Sequence, residues 1–100
     1  MPREQERVTF FVEVVLESDS GRRQARISDL SVGGCFIDSI ANISEGESVT
    51  FDLKHPNGEE MEFTGQVTYL LPSVGFGVRF TDMQEEQRTF VERIVKTLGG

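Results

Sequence analysis

The sequence predicts a mainly β protein, a small closed antiparallel barrel capped by a C-terminal helix, and three observations support this prediction. Apolar and polar residues alternate in several short segments of residues 8–80, which is the period-2 pattern of half-buried strands. Turn residues separate these segments at regular intervals, with no helical segment between them. After residue 81 the apolar spacing changes to a helical period. Closure is favoured because it removes exposed sheet edges.

The predicted strands share this alternation and are bounded by turn residues. In chain order they are residues 8–17, 22–30, 35–37, 49–54, 61–71 and 76–80. Gly33 and Gly34 separate the second strand from the third, and Gly65 predicts a bend or bulge inside the fifth. Strong turn chemistry follows the fourth strand, so we expect His55 to be a surface turn residue.

The C-terminal helix is predicted over residues 82–98. Thr81 with Gln84 fits a capping box, in which two side chains three residues apart satisfy backbone groups at the start of a helix. An apolar stripe at helical spacing follows and would pack on the barrel. It consists of Phe90, Val91, Ile94, Val95 and Leu98.

Length and charge exclude several classes of function. The chain has 100 residues, enough for one domain but not for separate substrate and cofactor lobes. Its net charge of −7 should repel a polyanion, so we expect no DNA binding. The charge is uneven, because residues 1–26 hold five arginines against five acidic residues, whereas residues 27–100 hold five basic and twelve acidic residues. Arginine is well suited to phosphate contacts.

The N-terminal residues do not resemble a signal peptide. Residues 2–7 are polar, and the apolar run of residues 8–16 is interrupted by Thr9 and Glu13. A membrane-spanning helix needs about 18 consecutive apolar residues, and no stretch of this sequence approaches that length. We therefore expect a cytoplasmic protein without membrane insertion. Cys35 is the only cysteine, so no internal disulfide can form, and we expect it to be a small core residue.

Catalytic and metal-binding patterns fail on spacing. His55 is the only histidine, so neither a histidine metal cluster nor a Ser-His-Asp triad has a partner set. Ser31 lacks the glycine that a nucleophile elbow needs two residues earlier, where Asp29 stands. Gly75 and Gly77 match half of a dinucleotide fingerprint but precede a strand, so we expect them to allow close passage of neighbouring strands. We expect no enzyme, no metal and no cofactor.

One constellation of side chains remains. Asp29 and Ser31 are two residues apart, which on an extended segment places both on one face, and Gly33 and Gly34 then let the backbone turn. A carboxylate can accept hydrogen bonds from N1 and N2 of guanine, and a hydroxyl can reach a phosphate oxygen. The arginines near the N-terminus add groups that bind phosphates, the O6 and N7 edge of guanine, or a purine face. Together these groups have the chemistry of a guanine-nucleotide reader.

At these residues the sequence resembles the PilZ domain family, the bacterial receptor domain for cyclic di-GMP. The family's first motif, two arginines with three residues between, is matched by Arg3 and Arg7 immediately before the first strand. Its second motif is Asp or Asn, any residue, Ser, two residues and Gly. This motif is matched by Asp29, Ser31 and Gly34. Residues 75–80 also look like the family's last strand, and the similarity extends over essentially the whole chain.

The resemblance implies a six-stranded antiparallel barrel at residues 8–80 with a C-terminal helix, in one domain. It implies that residues 1–7 form a flexible arm whose arginines close over the ligand. Asp29 and Ser31 would hold a guanine and a phosphate, Gly34 would keep the backbone in its turn, and Tyr69 would lie beside the ligand or at the barrel rim. The expected ligand-binding residues are Arg3, Arg7, Asp29, Ser31, Gly33, Gly34 and Tyr69.

The leading hypothesis is a stand-alone cyclic di-GMP receptor without catalytic activity that relays its signal to an effector protein. Motility, polysaccharide synthesis in biofilms, adhesion and gene expression are the outputs that the resemblance offers. The alternative is a degenerate member of the same fold that docks a protein without binding nucleotide. A barrel for single-stranded nucleic acid would need a basic groove with several stacking aromatics, which this chain does not provide.

Overall fold

A computed structural model describes residues 7–19, 21–39 and 43–99 and contains six strands followed by one helix. The strands are β1 (Val8–Ser18), β2 (Gly21–Ser31), β3 (Gly34–Asp38), β4 (Ser48–Lys54), β5 (Glu60–Leu71) and β6 (Gly75–Thr81). The helix is α1 (Glu85–Gly99). Each of the six strand segments expected from alternation is therefore present, with ends that differ by only a few residues.

The strands close into a barrel in the order β1-β2-β3-β6-β5-β4, and every neighbouring pair is antiparallel. This confirms the predicted six-stranded antiparallel barrel. The closing seam is short, because β1 meets β4 only where Glu17 lies opposite Thr50 and Ser18 lies opposite Val49. The other strand pairs are longer, and β2, β3, β6 and β5 are joined in succession by antiparallel pairing of five to seven residues each.

The barrel interior is filled by the apolar side chains that the alternation predicts. Ile27 and Phe63 are completely buried, and burying side chains of this size stabilises the fold by about 1.5–3 kcal/mol each. Helix α1 packs on β1, β2 and β5 and buries Val91 and Ile94 completely. Leu98 is 44% exposed, so the buried part of the helix stripe ends one turn earlier than predicted.

The helix begins three residues later than the predicted capping box requires. The Gln84 N–H donates to Oε1 of Gln87 at 2.7 Å, and the Gln84 carbonyl accepts from the Arg88 N–H, so Gln84 is the residue that caps the helix. Thr81 does not take this role because it is still paired with Thr64 in the sheet. No helix in the described part of the chain is both long and apolar enough to cross a membrane.

The bulge predicted at Gly65 lies farther along β5, between Val67 and Tyr69. Gly65 itself stays in register opposite Phe80, and a Cβ there would come within 2.8 Å of the Arg79 carbonyl oxygen. Glycine is therefore needed for close strand approach and not for a bend. The displaced bulge has a consequence for the surface, because Tyr69 is exposed while Val67, two residues earlier, is buried.

The expectation that His55 lies on the surface is wrong, since it is only 8% exposed. The turn itself forms, with the Gly58 N–H donating to the His55 carbonyl at 2.8 Å. The His55 ring, however, packs edge-on against Phe90 of α1 with centroids 5.8 Å apart, and its Nδ1 accepts from the Asn57 N–H at 3.0 Å. Burial by a helix distant in sequence is invisible in the local turn pattern.

Candidate ligand-binding site

The outer surface of β2, β3, β6 and β5, which we call the outer face, carries most of the residues singled out by the sequence. The strand register arranges its side chains in three rows. The first row is Ser31, Gly34, Arg79 and Gln66, the second is Asp29, Phe36, Gly77 and Tyr69, and the third is Arg26, Asp38, Gly75 and Leu71. As their spacing predicts, Asp29 and Ser31 lie on the same face, in adjacent rows.

Arg7 lies against this face through an ion pair with Asp29. Its Nη2 and Nε atoms are 3.1 Å and 3.3 Å from the same carboxylate oxygen, Oδ1. The two side chains are 43% and 36% exposed, so the pair is accessible and contributes about 0–1 kcal/mol. Arg7 of the first sequence motif is thus in contact with Asp29 of the second. Arg3 lies outside the described residues.

Ser31 and Gly34 face each other where β2 turns into β3. Ser31 is 5% exposed, and its hydroxyl donates to the Gly34 carbonyl at 3.3 Å. A Cβ at Gly34 would overlap the carbonyl oxygen of Val78 on β6. Gly34 is therefore required by close approach of β3 and β6, whereas the described glycines with left-handed backbone are Gly21, Gly46 and Gly58. The expectation that Gly34 serves a special turn conformation is corrected accordingly.

Gly33 occupies the two-residue turn between β2 and β3, next to Val32. Its carbonyl accepts from the Phe80 N–H at 2.9 Å, so the turn is tied to the end of β6. Gly33 thus lies beside the outer face at its first row.

Two glycines leave space for aromatic rings on the outer face. A Cβ at Gly77 would overlap the ring of Tyr69, and a Cβ at Gly75 would be 2.9 Å from Cε2 of Phe36. The predicted close passage of a neighbouring strand is confirmed at Gly75, where a Cβ would overlap the Ile37 carbonyl oxygen, whereas the space at Gly77 is taken by the Tyr69 ring and not by a strand backbone. The rings of Phe36 and Tyr69 are 6.1 Å apart and tilted by 32°, and Tyr69 is 42% exposed. This is an aromatic surface beside Asp29 on which a purine could stack.

The third row adds a cationic group that sequence analysis missed. Nη2 of Arg26 is 2.7 Å from Oδ2 of Asp38, and its guanidinium lies 5.0 Å from the ring centroid of Phe11. Phe11 is 61% exposed because it has the outward parity of Thr9 and Glu13 on β1. The position of Phe11 in the β1 alternation, opposite in parity to the core residues, is the sequence signal that could have indicated an exposed ring here.

The charges of the outer face are only partly compensated. Arg7 and Arg26 each face a carboxylate, whereas Nη2 of Arg79 makes a 3.4 Å contact with the neutral amide oxygen of Gln66. The charge of Asp29 also affects a core residue. Burial and the Asp29 carboxylate together raise the pKa of the Cys35 thiol, which lies beneath the face. Cys35 is buried, as predicted.

The outer face offers hydrogen-bond acceptors, the exposed ring of Tyr69 and guanidinium groups within three adjacent rows. This combination can hold a planar base that carries N–H donors together with an anionic phosphate. Within the described ranges, no group of three or more His, Cys, Asp or Glu residues is placed to bind a metal ion.

Comparison with known proteins identifies the fold. The sequence model of the PilZ domain family matches residues 2–97. A search of curated proteins gives no match. Among solved structures, the PilZ domain of CeSA from a cellulose synthesizing bacterium has a TM-score of 0.72 at 21% identity and covers 95% of this chain and 99% of its own.

Two further similar structures contain c-di-GMP. The PilZ domain of YcgR from Escherichia coli has a TM-score of 0.79 at 15% identity, covering 99% of this chain and 92% of its own. The PlzA protein of Borreliella burgdorferi has a TM-score of 0.67 at 17% identity, covering 91% of this chain but only 40% of that longer protein. Identities this low show a shared fold, and the family match covers nearly the whole chain. The chain belongs to the PilZ domain family.

Proposed function

We propose that this protein is a non-catalytic receptor that binds cyclic di-GMP on its outer face and relays the signal to an effector protein. The observation that carries the proposal is the contact of Arg7 with Asp29 beside Ser31, which joins residues of two motifs 22 positions apart in the chain. The proposed ligand-binding residues are Arg3, Arg7, Asp29, Ser31, Gly33, Gly34 and Tyr69.

Each side chain has a role that its chemistry supports. The Asp29 carboxylate accepts from N1–H and N2–H of a guanine, and Tyr69 stacks on the base. Arg7 leaves its ion pair with Asp29 and contacts a phosphate or the O6 and N7 edge of guanine. This exchange is inexpensive because the ion pair is exposed, so breaking it costs about 0–1 kcal/mol. Ser31 contacts a phosphate oxygen directly or through its backbone.

The signal output follows from a change of surface. A ligand on the outer face covers Asp29 and Tyr69 and reorients Arg7, so an effector protein meets a different surface in the bound state. We propose that this occurs in the cytoplasm and serves a process such as motility or biofilm formation. The negative net charge disfavours a long polyanion such as DNA.

Calorimetric titration with cyclic di-GMP tests the proposal directly. The wild-type protein should bind saturably, while GMP and GTP bind weakly. Arg7→Ala should weaken binding by about tenfold or more, because it removes charge-assisted hydrogen bonds to the ligand. Arg93→Ala is the matched control, since Arg93 also forms an exposed 3.1 Å ion pair, with Glu59, but away from the outer face. Absence of heat with folded wild-type protein would refute the proposal.

One observation favours the alternative, a nucleotide-independent interaction module. The hairpin between β5 and β6 exposes Leu70 by 39%, Leu71 by 46% and Val74 by 54%, an apolar tip at the edge of the outer face. Thermal melting separates the two functions. A receptor gains stability as cyclic di-GMP rises above its dissociation constant, whereas a pure docking module does not.

A further inference from the structure

Two arginines line a surface cavity beside the turn between β2 and β3. The cavity has a volume of about 340 Å³ and is lined by Val32, Gly33, Arg79, Phe80, Met83 and Arg88. Within residues 7–19, 21–39 and 43–99, neither arginine has a carboxylate within ion-pair distance. The side chain of Arg79 has only its 3.4 Å contact with an amide. Two arginines thus line one cavity, and neither has a carboxylate partner among the described residues.

Four other cations in the described part of the chain have carboxylate partners, whereas Arg22 and Lys96 have no ion pair there. Arg7, Arg26 and Arg93 lie 3.1 Å, 2.7 Å and 3.1 Å from carboxylate oxygens, and Lys54 lies 3.9 Å from one. The chain carries seven more acidic than basic residues, so carboxylates are plentiful. The lack of one at this cavity therefore leaves a local excess of positive charge that an anionic ligand would compensate.

Helix α1 increases this positive charge. Arg88 is the fourth residue of α1, close to the helix N-terminus, where the backbone N–H groups carry partial positive charge. The two acidic residues of the same turn, Glu85 and Glu86, line a different groove with Arg93 and Glu59. They do not share the cavity of Arg88, so the arginine and the helix end act in the same direction.

The cavity is continuous with the outer face through Arg79. Arg79 lies directly opposite Gly34 in the first row, and Gly34 lies opposite Ser31. Gly34 has no side chain, so Arg79 is the next side chain beyond Ser31 along the first row, and its Nη2 contacts Gln66 on its other side. The arginine fork binds phosphate oxygens bidentately.

We infer that Arg79 and Arg88 form a phosphate-binding subsite that takes one phosphodiester group of the cyclic dinucleotide on the outer face. The inference rests on the proposed function and deepens it. Arg7 at Asp29 and the arginine pair at the cavity then hold the ligand from two rows of the face. The subsite is built from the last strand and the helix, outside both sequence motifs.

The test is calorimetric titration with cyclic di-GMP of Arg79→Gln and Arg88→Gln. Each should weaken binding by about tenfold, the loss expected for one charge-assisted contact. Arg22→Gln is the matched control, because Arg22 is an exposed arginine at the far end of β2, and it should bind within about twofold of wild type. If Arg79→Gln binds like Arg22→Gln while Arg7→Ala still loses binding, the subsite is refuted and the proposed function stands.

A second experiment applies if wild-type protein does not bind cyclic di-GMP. That result would refute the proposed function. Inorganic pyrophosphate is then titrated while NMR signals of the Gly33 amide and the Arg79 side chain are followed. A phosphate subsite predicts saturable shifts that Arg79→Gln abolishes, and their absence overturns the subsite as well.

Discussion

Two arginines lie over phenylalanine rings, Arg26 at the outer face and Arg93 on α1. The two arginine–phenylalanine pairs differ in what surrounds the ring. Arg26 lies 5.0 Å from the ring centroid of Phe11, and Arg93 lies 6.0 Å from that of Phe90. The Phe11 ring is 61% exposed, whereas the Phe90 ring belongs to the core at 3% exposure.

The burial of the ring decides what each arginine–phenylalanine pair can do. Phe90 packs on His55 and on Phe63 of the barrel, so its arginine merely covers a ring that holds the helix in place. Phe11 has the outer face on one side and water on the other, so its ring remains available to a ligand or partner. Similar pairs of side chains thus cover a packed ring in one region and an exposed ring in the other, and the difference lies in burial.

Truncating the two rings should give opposite results. Phe90→Ala should lower the free energy of unfolding by about 3–5 kcal/mol because it empties a buried site under the helix. Phe11→Ala should change it by less than about 1 kcal/mol, since an exposed ring buries little surface. Urea denaturation of both variants measures this contrast. Equal losses for the two variants would show that the outer face is as much a packing region as the helix.

Glycine substitutions separate strand packing from ring placement within the outer face. Gly34→Ala should destabilise the protein by about 1–3 kcal/mol, because its Cβ would collide with the Val78 carbonyl and the backbones must separate. Gly77→Ala should cost less than about 1 kcal/mol, because its Cβ meets the far end of the Tyr69 ring, which can swing away.

The readout is urea denaturation together with cyclic di-GMP titration. Gly77→Ala should keep its stability while losing affinity, since the displaced Tyr69 ring no longer offers its flat surface. A Gly77→Ala protein with full affinity would remove Tyr69 from the site.

A further prediction concerns Cys35, which lies beneath the outer face. Burial raises the pKa of its thiol above the ordinary value of 9.0, so the folded state disfavours the thiolate. Its contribution to stability is therefore complete below the pKa of the unfolded chain and is lost as the pH rises above it. Between about pH 8 and about pH 10, wild type should lose about 1 kcal/mol more stability than Cys35→Ala. Parallel pH profiles for the two proteins would contradict this.

The sequence was sufficient where the pattern is local. Alternation predicted each strand of the barrel, and the two-residue spacing of Asp29 and Ser31 predicted their common face. The Phe36 and Arg79 side chains could not be found in this way, because their place beside Asp29 and Ser31 depends on the register between β3 and β6, which no local pattern specifies. The same reason explains the error at His55, whose burial comes from a helix more than thirty residues later.

The site was predictable only through its motifs. Arg7 and Asp29 are far apart in sequence, and composition alone suggested an acidic protein that repels phosphates. Their contact, together with the uncompensated Arg79, shows that the outer face is an exception to the net charge of −7. Charge that is averaged over the chain therefore says little about the surface on which a small anion would bind.

The most direct test of the account is an NMR map of amide shifts as cyclic di-GMP is added to the wild-type protein. The outer face should respond, with the largest changes at Asp29, Ser31 and Gly33, while amides around His55 and Phe90 stay unchanged. Shifts that cluster at the helix groove, or no shifts at saturating ligand, would contradict the claim that the outer face is the binding surface.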